Sequence, residues 1–493
     1  MQKTGRIAAR TVWMALVACG DAGGGGEAAT SGDAGSSSGA DSGEPTGGDT
    51  SGSTGSTSGD TGSTSGGADI LDELAEIDGL DVEERDSPID GYRYFVLGYR
   101  QPADHDDPDG PSFVQRMTLL HRDPAAPLVM VTSGYFIYPE FPGLEEPSQL
   151  LKANQLAVEH RFFEPSRPDA ADWADLTIVQ AASDHHRVAE ALRPLYDGAW
   201  VATGASKGGM AAMYFRRFFP DDVDVTIPYV APQSYGDADP RYLEFVATRG
   251  EPACRQALLD TQREVLLRRE AMVAYMQGEA TAEGFTYTYL NEDQALESAA
   301  LELIFTFWQY EGASLCAQVP AVDASDAEVW DFLNAITAPR YWSDGWYLGY
   351  EPYFWQAGTQ LGYPAYEEAN VADLMMYPGL DVAATYVSPQ RGAVALDAEA
   401  MPDIADWLAS SGERILLVYG EHDPYTAAAF DPAGNPGVLR LVVPGGNHGA
   451  QIGQLDAAER DAALAALEAW TGVTPELPAA APWAPRRGLR ASW

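Results

Sequence analysis

The chain has 493 residues, three of them cysteine, and a formal net charge of −43. A surface this acidic repels nucleic-acid phosphates, which excludes nucleic acid as a partner, and it attracts peptides through their positive N-termini. Most of the carboxylates are read as solvated surface.

Taken in chain order, residues 1–19 resemble a bacterial signal peptide. Lys3, Arg6 and Arg10 precede an apolar run over 12–18 that is too short to span a bilayer. Leu16-Val17-Ala18-Cys19 is similar to a lipobox, so Cys19 is the expected lipidation site and a lipid anchor the expected membrane contact. Residues 20–68 are almost wholly Gly, Ser, Thr, Ala and Asp, a composition that cannot bury a core and predicts a tether. An exported protein, in the periplasm or at the cell surface, is the expectation.

The folded part opens with a predicted hairpin over 92–100 and 113–121. Core strands follow over 128–133, 155–158, 199–203, 225–230, 414–419 and 438–443, and a helix over 456–470 closes the unit. Residues 172–196 have helical spacing of apolar positions. His185 and His186 lie there on adjacent positions, which do not share a helix face, so they make a poor metal pair. No H-E-x-x-H motif and no Cys/His cluster occurs in the sequence, and no metal or cofactor is expected.

Residues 200–210 carry the densest signal. A strand runs into Gly204-Ala205-Ser206-Lys207-Gly208, a G-x-S-x-G turn, and then into an apolar helix. In such a turn the glycines avoid clashes across a tight strand-to-helix corner while the serine hydroxyl is held over the sheet edge. A serine becomes a nucleophile when a neutral imidazole takes its proton and a carboxylate fixes that imidazole. Beyond the turn only His422 and His448 remain, each after an apolar strand. The order serine, acid, histidine assigns Ser206 as nucleophile, Asp423 as acid and His448 as base. Glu421 is a weaker acid, and His422 is a loop neighbour of Asp423. The oxyanion donors are expected to be the backbone N–H groups of Lys207 and of Tyr135, the latter after Ser133-Gly134 at the end of the 128–133 strand. A Ser–Lys dyad through the Lys207 side chain is the disfavoured alternative.

Three blocks now match together: Ala157-Val158-Glu159-His160-Arg161-Phe162-Phe163-Glu164-Pro165-Ser166-Arg167-Pro168, Gln180-Ala181-Ala182-Ser183-Asp184-His185-His186, and Gly204 to Met210. Over about 92–470 the chain resembles the secreted tripeptidyl and prolyl aminopeptidase family of serine peptidases known from actinobacteria. It is more distantly similar to lysosomal prolyl carboxypeptidase and its dipeptidyl peptidase relative. The resemblance implies an α/β-hydrolase fold with an inserted, mostly helical cap, and release of short peptides from a free N-terminus, often after proline. Glu164 departs from the family pattern, which commonly has Gly there.

The domain boundaries expected are a core over 69–235 and 396–475, a cap over 236–395 and a tail over 476–493. The cap begins with helical spacing over 251–276 and 298–310, followed by an aromatic-dense stretch over 341–366 that is read mainly as cap core. Relatives carry a similar W-Q-x-x-T helix over the active site, so Trp355 and Gln356 are the candidate substrate contacts. A peptide's free ammonium needs a carboxylate or carbonyl. Glu159 is the candidate, with pairing to Arg161 or Arg167 as its structural alternative and Glu351, Glu367 and Glu368 as other acids. Cys254 and Cys316 form an even pair in the cap, compatible with a disulfide that spacing alone does not establish. Two other classes stay open at this point: an esterase on the same triad, and a catalytically silent surface lipoprotein.

Overall fold

The computed structural model describes residues 69–169 and 171–478. The segment with Cys19, the tether and most of the tail lie outside the described residues.

Nine strands form one sheet: β1 (Leu80–Arg85), β2 (Arg93–Pro102), β3 (Ser112–His121), β4 (Leu128–Thr132), β5 (Asn154–Val158), β6 (Trp200–Ala205), β7 (Val225–Tyr229), β8 (Ile415–Gly420) and β9 (Val438–Val443). Their order across the sheet is β1-β2-β3-β5-β4-β6-β7-β8-β9. The first three strands and the β3·β5 pair are antiparallel, and the remaining pairs are parallel. Every residue of β7 and β8 is buried, because helices cover both faces of the parallel part. One face is packed by Phe95, Leu119, Met130, Trp200 and Phe215, the other by Val129, Val201, Ile227, Leu416 and Leu467. This is the α/β-hydrolase architecture, with the loops after β4, β6, β8 and β9 opening at the carboxyl ends of parallel strands, where such sheets bind ligands.

β1 was not expected. Only Leu80 and Val82 are apolar in it, and it is held at the sheet edge partly by charge, Arg93 on β2 reaching Glu84 at 2.8 Å. The helix expected over 172–196 is an α-helix over Ile178–Leu192 flanked by two short 3-10 turns. The long helical stretch after 251 is two helices, Pro252–Leu267 and Arg269–Glu283, which break at Arg268.

Between β7 and β8 the chain is helical, and it builds its own core around Leu258, Met272, Leu303, Phe307, Leu333 and Tyr386. Cys254 and Cys316 are disulfide-bonded, with Cα atoms 5.3 Å apart and a sequence separation of 62. Closing a loop of that size restricts the unfolded chain by about 4 kcal/mol in the chain-entropy treatment. Cys254→Ser with Cys316→Ser is therefore expected to lower the thermal midpoint of the cap transition in calorimetry. A midpoint equal to that of the oxidised wild type contradicts this.

Candidate active site

The turn after β6 is built by close backbone approach. A Cβ on Gly204 would sit 2.5 Å from the Gly208 carbonyl carbon, and one on Gly208 would sit 2.6 Å from the Thr132 carbonyl oxygen. Thr132 Oγ1 ties the two sides together by donating to the carbonyls of Thr203 (3.1 Å) and Gly208 (2.9 Å). Ser206 sits at the apex with φ 56° and ψ −126°, a conformation that costs a non-glycine residue on the order of 1–3 kcal/mol. Its amide donates to the Tyr229 carbonyl at 2.9 Å, which anchors the apex on β7. The helix Lys207–Phe218 starts at the next residue, so the Lys207 amide is one of the first-turn N–H groups that have no intrahelical carbonyl to reach.

Asp423 and His448 come from the loops after β8 and β9. Asp423 is fully buried, accepts from the Tyr425 amide at 3.1 Å through Oδ1, and accepts from His448 Nδ1 at 2.7 Å through Oδ2. The two loops meet because residue 420 is glycine: a Cβ there would lie 2.3 Å from the Asn447 carbonyl oxygen. The cap also grips the histidine loop. His448 N donates to the Gln309 carbonyl at 2.9 Å and Asn447 Nδ2 to the Tyr310 carbonyl at 2.6 Å, both acceptors lying in the π-helical turn Phe307–Glu311. With Nδ1 committed to Asp423, His448 Nε2 is buried and has no hydrogen-bond partner. Ser206, His448, Gly134 and Tyr135 line one cleft together with Tyr310 and Tyr350.

The Tyr135 amide donates to Ser133 Oγ at 3.1 Å in a local serine turn. Its phenol is pushed well above the usual tyrosine range, first by burial and then by neighbouring tyrosines, with a hydrogen bond to Ser206 opposing the shift. The Lys207 side chain leaves the cleft. Its Nζ donates to the Gly134 carbonyl at 2.7 Å and lies 5.4 Å from the centre of the Phe163 ring, and burial holds the amine well below its ordinary range. A Ser–Lys dyad is not formed by this geometry.

Glu159 is not a cleft residue. The carboxylate is fully buried, paired with Arg116 from the neighbouring strand β3, and accepts from Ser166 Oγ at 2.6 Å and from the Ile137 amide at 3.0 Å. It braces the loops beside the cleft, through Arg116 rather than through Arg161 or Arg167. Arg161 instead makes a bidentate pair with Asp184, 2.7 Å on each arm, and donates to the carbonyls of Ala103 and Asp175. Burial raises the Asp184 carboxyl, but the Arg161 charge and hydrogen bonds outweigh it and hold the group below its usual range. The residues of the 157–186 blocks thus carry a buried ionic scaffold under the site.

Trp355 and Gln356 do not line the Ser206 cleft either. Trp355 packs edge-on against Trp173, with ring centres 5.7 Å apart, and buried Gln356 lines a small cavity with His160, His185 and Lys207. On the helix Asp344–Gln356 the residue that lines the cleft is Tyr350, while Trp346 and Tyr353, on the same face, line a neighbouring cavity under the cap. At 100° per residue Trp355 points about half a turn away from Trp346. His185 and His186 diverge as well. His185 is buried with neither ring nitrogen hydrogen-bonded and is pulled down to about 4 by burial, whereas His186 bonds Asp222 at 2.7 Å.

The chain matches the profile of the PS-10 peptidase S37 family over residues 64–489. It is 40% identical over 415 residues to the prolyl tri/tetrapeptidyl aminopeptidase of Streptomyces mobaraensis, a match that covers 83% of this chain and 86% of the relative. Similar solved structures include the proline iminopeptidase-related protein of Thermus thermophilus, at 13% identity and a TM-score of 0.32, covering 80% of this chain and 99% of that one. Carboxyl esterase 2 of the fungus Tuber melanosporum is similar at 11% identity and a TM-score of 0.32, over 79% of this chain and 89% of that one.

Proposed function

This chain belongs to the PS-10 peptidase S37 family, and from that premise we propose that it is an exported aminopeptidase releasing tripeptides or similar short fragments from a free N-terminus, often after proline. The observation that carries the reading is the buried His448–Asp423 pair at 2.7 Å, whose remaining ring nitrogen is uncommitted in the cleft that Ser206 lines. In the proposed reaction Ser206 Oγ attacks the scissile carbonyl and its proton passes to His448 Nε2. Asp423 holds the imidazole in the Nδ1–H tautomer and stabilises the imidazolium that forms. The amine leaves with the proton from His448, and water enters by the reverse route to free the acylated serine.

The developing oxyanion is assigned to the N–H groups of Lys207 and Tyr135. Lys207 supports this as the opening residue of the helix. The Tyr135 amide has to exchange Ser133 Oγ for the oxyanion, so its contribution is made in the transition state.

Export is supported by the signal-like residues 1–19 and by the Cys254–Cys316 disulfide, which suits an oxidising compartment. Lipidation at Cys19 is part of the proposal. No helix among the described residues is long and apolar enough to cross a membrane.

The test compares a proline-ending tripeptide anilide with its N-acetylated form. The free form is expected to be hydrolysed at least about tenfold faster, because acetylation removes a charge that a desolvated site has to recognise. Equal rates contradict the aminopeptidase reading, and rapid turnover of p-nitrophenyl esters with no peptide cleavage favours an esterase.

A further inference from the structure

Beside the Ser206 cleft lies a second cavity, under the cap, walled by Tyr341, Trp346, Tyr353 and Tyr425 and sharing Tyr310 and Tyr350 with the cleft. The cavity is small, about 90 Å³ in volume. The Tyr425 ring lies 5.0 Å from the His448 ring, so the cavity adjoins the catalytic end of the cleft. In this mostly aromatic wall sits one carboxylate, Glu302.

Asp381, which does not line the cavity, interacts with Glu302 electrostatically. Asp381 is 6% exposed, and its Oδ1 accepts from Tyr386 Oη at 2.9 Å and Tyr363 Oη at 3.5 Å. Its Oδ2 is buried with no hydrogen-bond partner. The fully buried cap glutamates are neutralised by arginine, Glu297 by Arg269 at 2.5 Å and Glu351 by Arg391 at 2.9 Å, whereas Glu302 is partly buried. Among the described residues no lysine, arginine or histidine forms an ion pair with Glu302 or Asp381. Burial, then the Asp381 charge, pushes Glu302 well above the usual carboxylate range, and burial pushes Asp381 up to about 7. Ionising both acids in this wall is costly unless a cation joins them.

We propose that Glu302, backed by Asp381, receives the free α-ammonium of the peptide substrate, with the tyrosine-walled cavity taking the N-terminal end of the chain and the adjoining cleft taking the residues nearer the cleaved bond. This rests on the aminopeptidase reading of the Ser206 site. The ammonium supplies the missing positive charge, and tyrosine faces around it add cation–π attraction. Holding the first residue at Glu302 fixes how far the chain extends before it reaches Ser206, so the same pair sets the length of the released fragment. The helix that carries Glu302, Glu292–Thr306, runs directly into the π-helical turn that grips the His448 loop, so ammonium site and general base share one rigid support.

The experiment measures kcat and KM of wild type, Glu302→Gln and Asp381→Asn on the free and N-acetylated tripeptide anilide, together with the rate of fluorophosphonate labelling. In Glu302→Gln the KM for the free substrate is expected to rise at least about tenfold, the acetylated substrate is expected to lose nothing, and the preference for a free end to collapse. A labelling rate equal to wild type shows that the elbow and cap are intact. Should Glu302→Gln label slowly, the free-to-acetylated ratio of Asp381→Asn decides by the same criterion. A wild-type preference that survives in the variant overturns the Glu302 assignment alone, whereas no preference in the wild type overturns the aminopeptidase reading and this proposal with it.

Discussion

Ser206→Ala is expected to lower kcat for a free tripeptide anilide by a factor on the order of 10⁴ to 10⁶, the range found when a serine nucleophile is removed and only binding and oxyanion stabilisation remain. KM is expected to change little, because the hydroxyl contributes to the transition state rather than to the ground state. Stability separates this from unfolding. Alanine keeps a side chain at φ 56°, so the backbone strain at residue 206 persists. Ser206→Gly removes that strain and is expected to be as inactive as Ser206→Ala but more stable than it by about 1 kcal/mol, read as a higher denaturant midpoint. A Ser206→Ala protein that keeps more than about a hundredth of wild-type kcat contradicts the assigned nucleophile.

Asp423→Asn is expected to lower kcat by about 10⁴-fold with the fold preserved. The amide oxygen can still accept from the Tyr425 amide as Oδ1 does now, so the loop after β8 keeps its shape. What changes is the partner of His448 Nδ1: an amide NH₂ facing the ring favours the tautomer with its proton on Nε2, which cannot accept from Ser206. The loss belongs in kcat, and fluorophosphonate labelling should slow in parallel. Unchanged kcat would mean that another acid, such as Glu421, orients the base. Glu421 is poorly placed for that, since its Oε2 accepts from the Gly445 amide at 2.7 Å on the exposed side of the loop.

The positions 206, 423 and 448 were legible because each follows an apolar strand and a tight turn, and in a parallel sheet all such turns open at the same edge. The strands from β2 to β9 were legible for the same reason, being apolar runs bounded by glycine, proline or charge. β1 was not, because an edge strand with two apolar residues has no burial signal to read. Glu159 was misread because its partner Arg116 sits on an antiparallel neighbour, and cross-strand pairing is invisible without the register. Trp355 was misread by about half a helical turn: the aromatic stretch announces a cap but not which of its rings faces the cleft. Glu302 and Asp381 escaped notice because nothing in a chain this rich in carboxylates marks two cap acids that pack against each other without an arginine. The pairings Glu297–Arg269 and Glu351–Arg391 separate them only once the cap is assembled.

The most direct test of the account is to inactivate the enzyme with a fluorophosphonate, digest it, and locate the added phosphonyl group by mass spectrometry. The account predicts stoichiometric modification of Ser206, in step with loss of peptidase activity and slowed in Asp423→Asn. Complete inactivation with the label on another residue, or full peptidase activity with Ser206 fully modified, would contradict it.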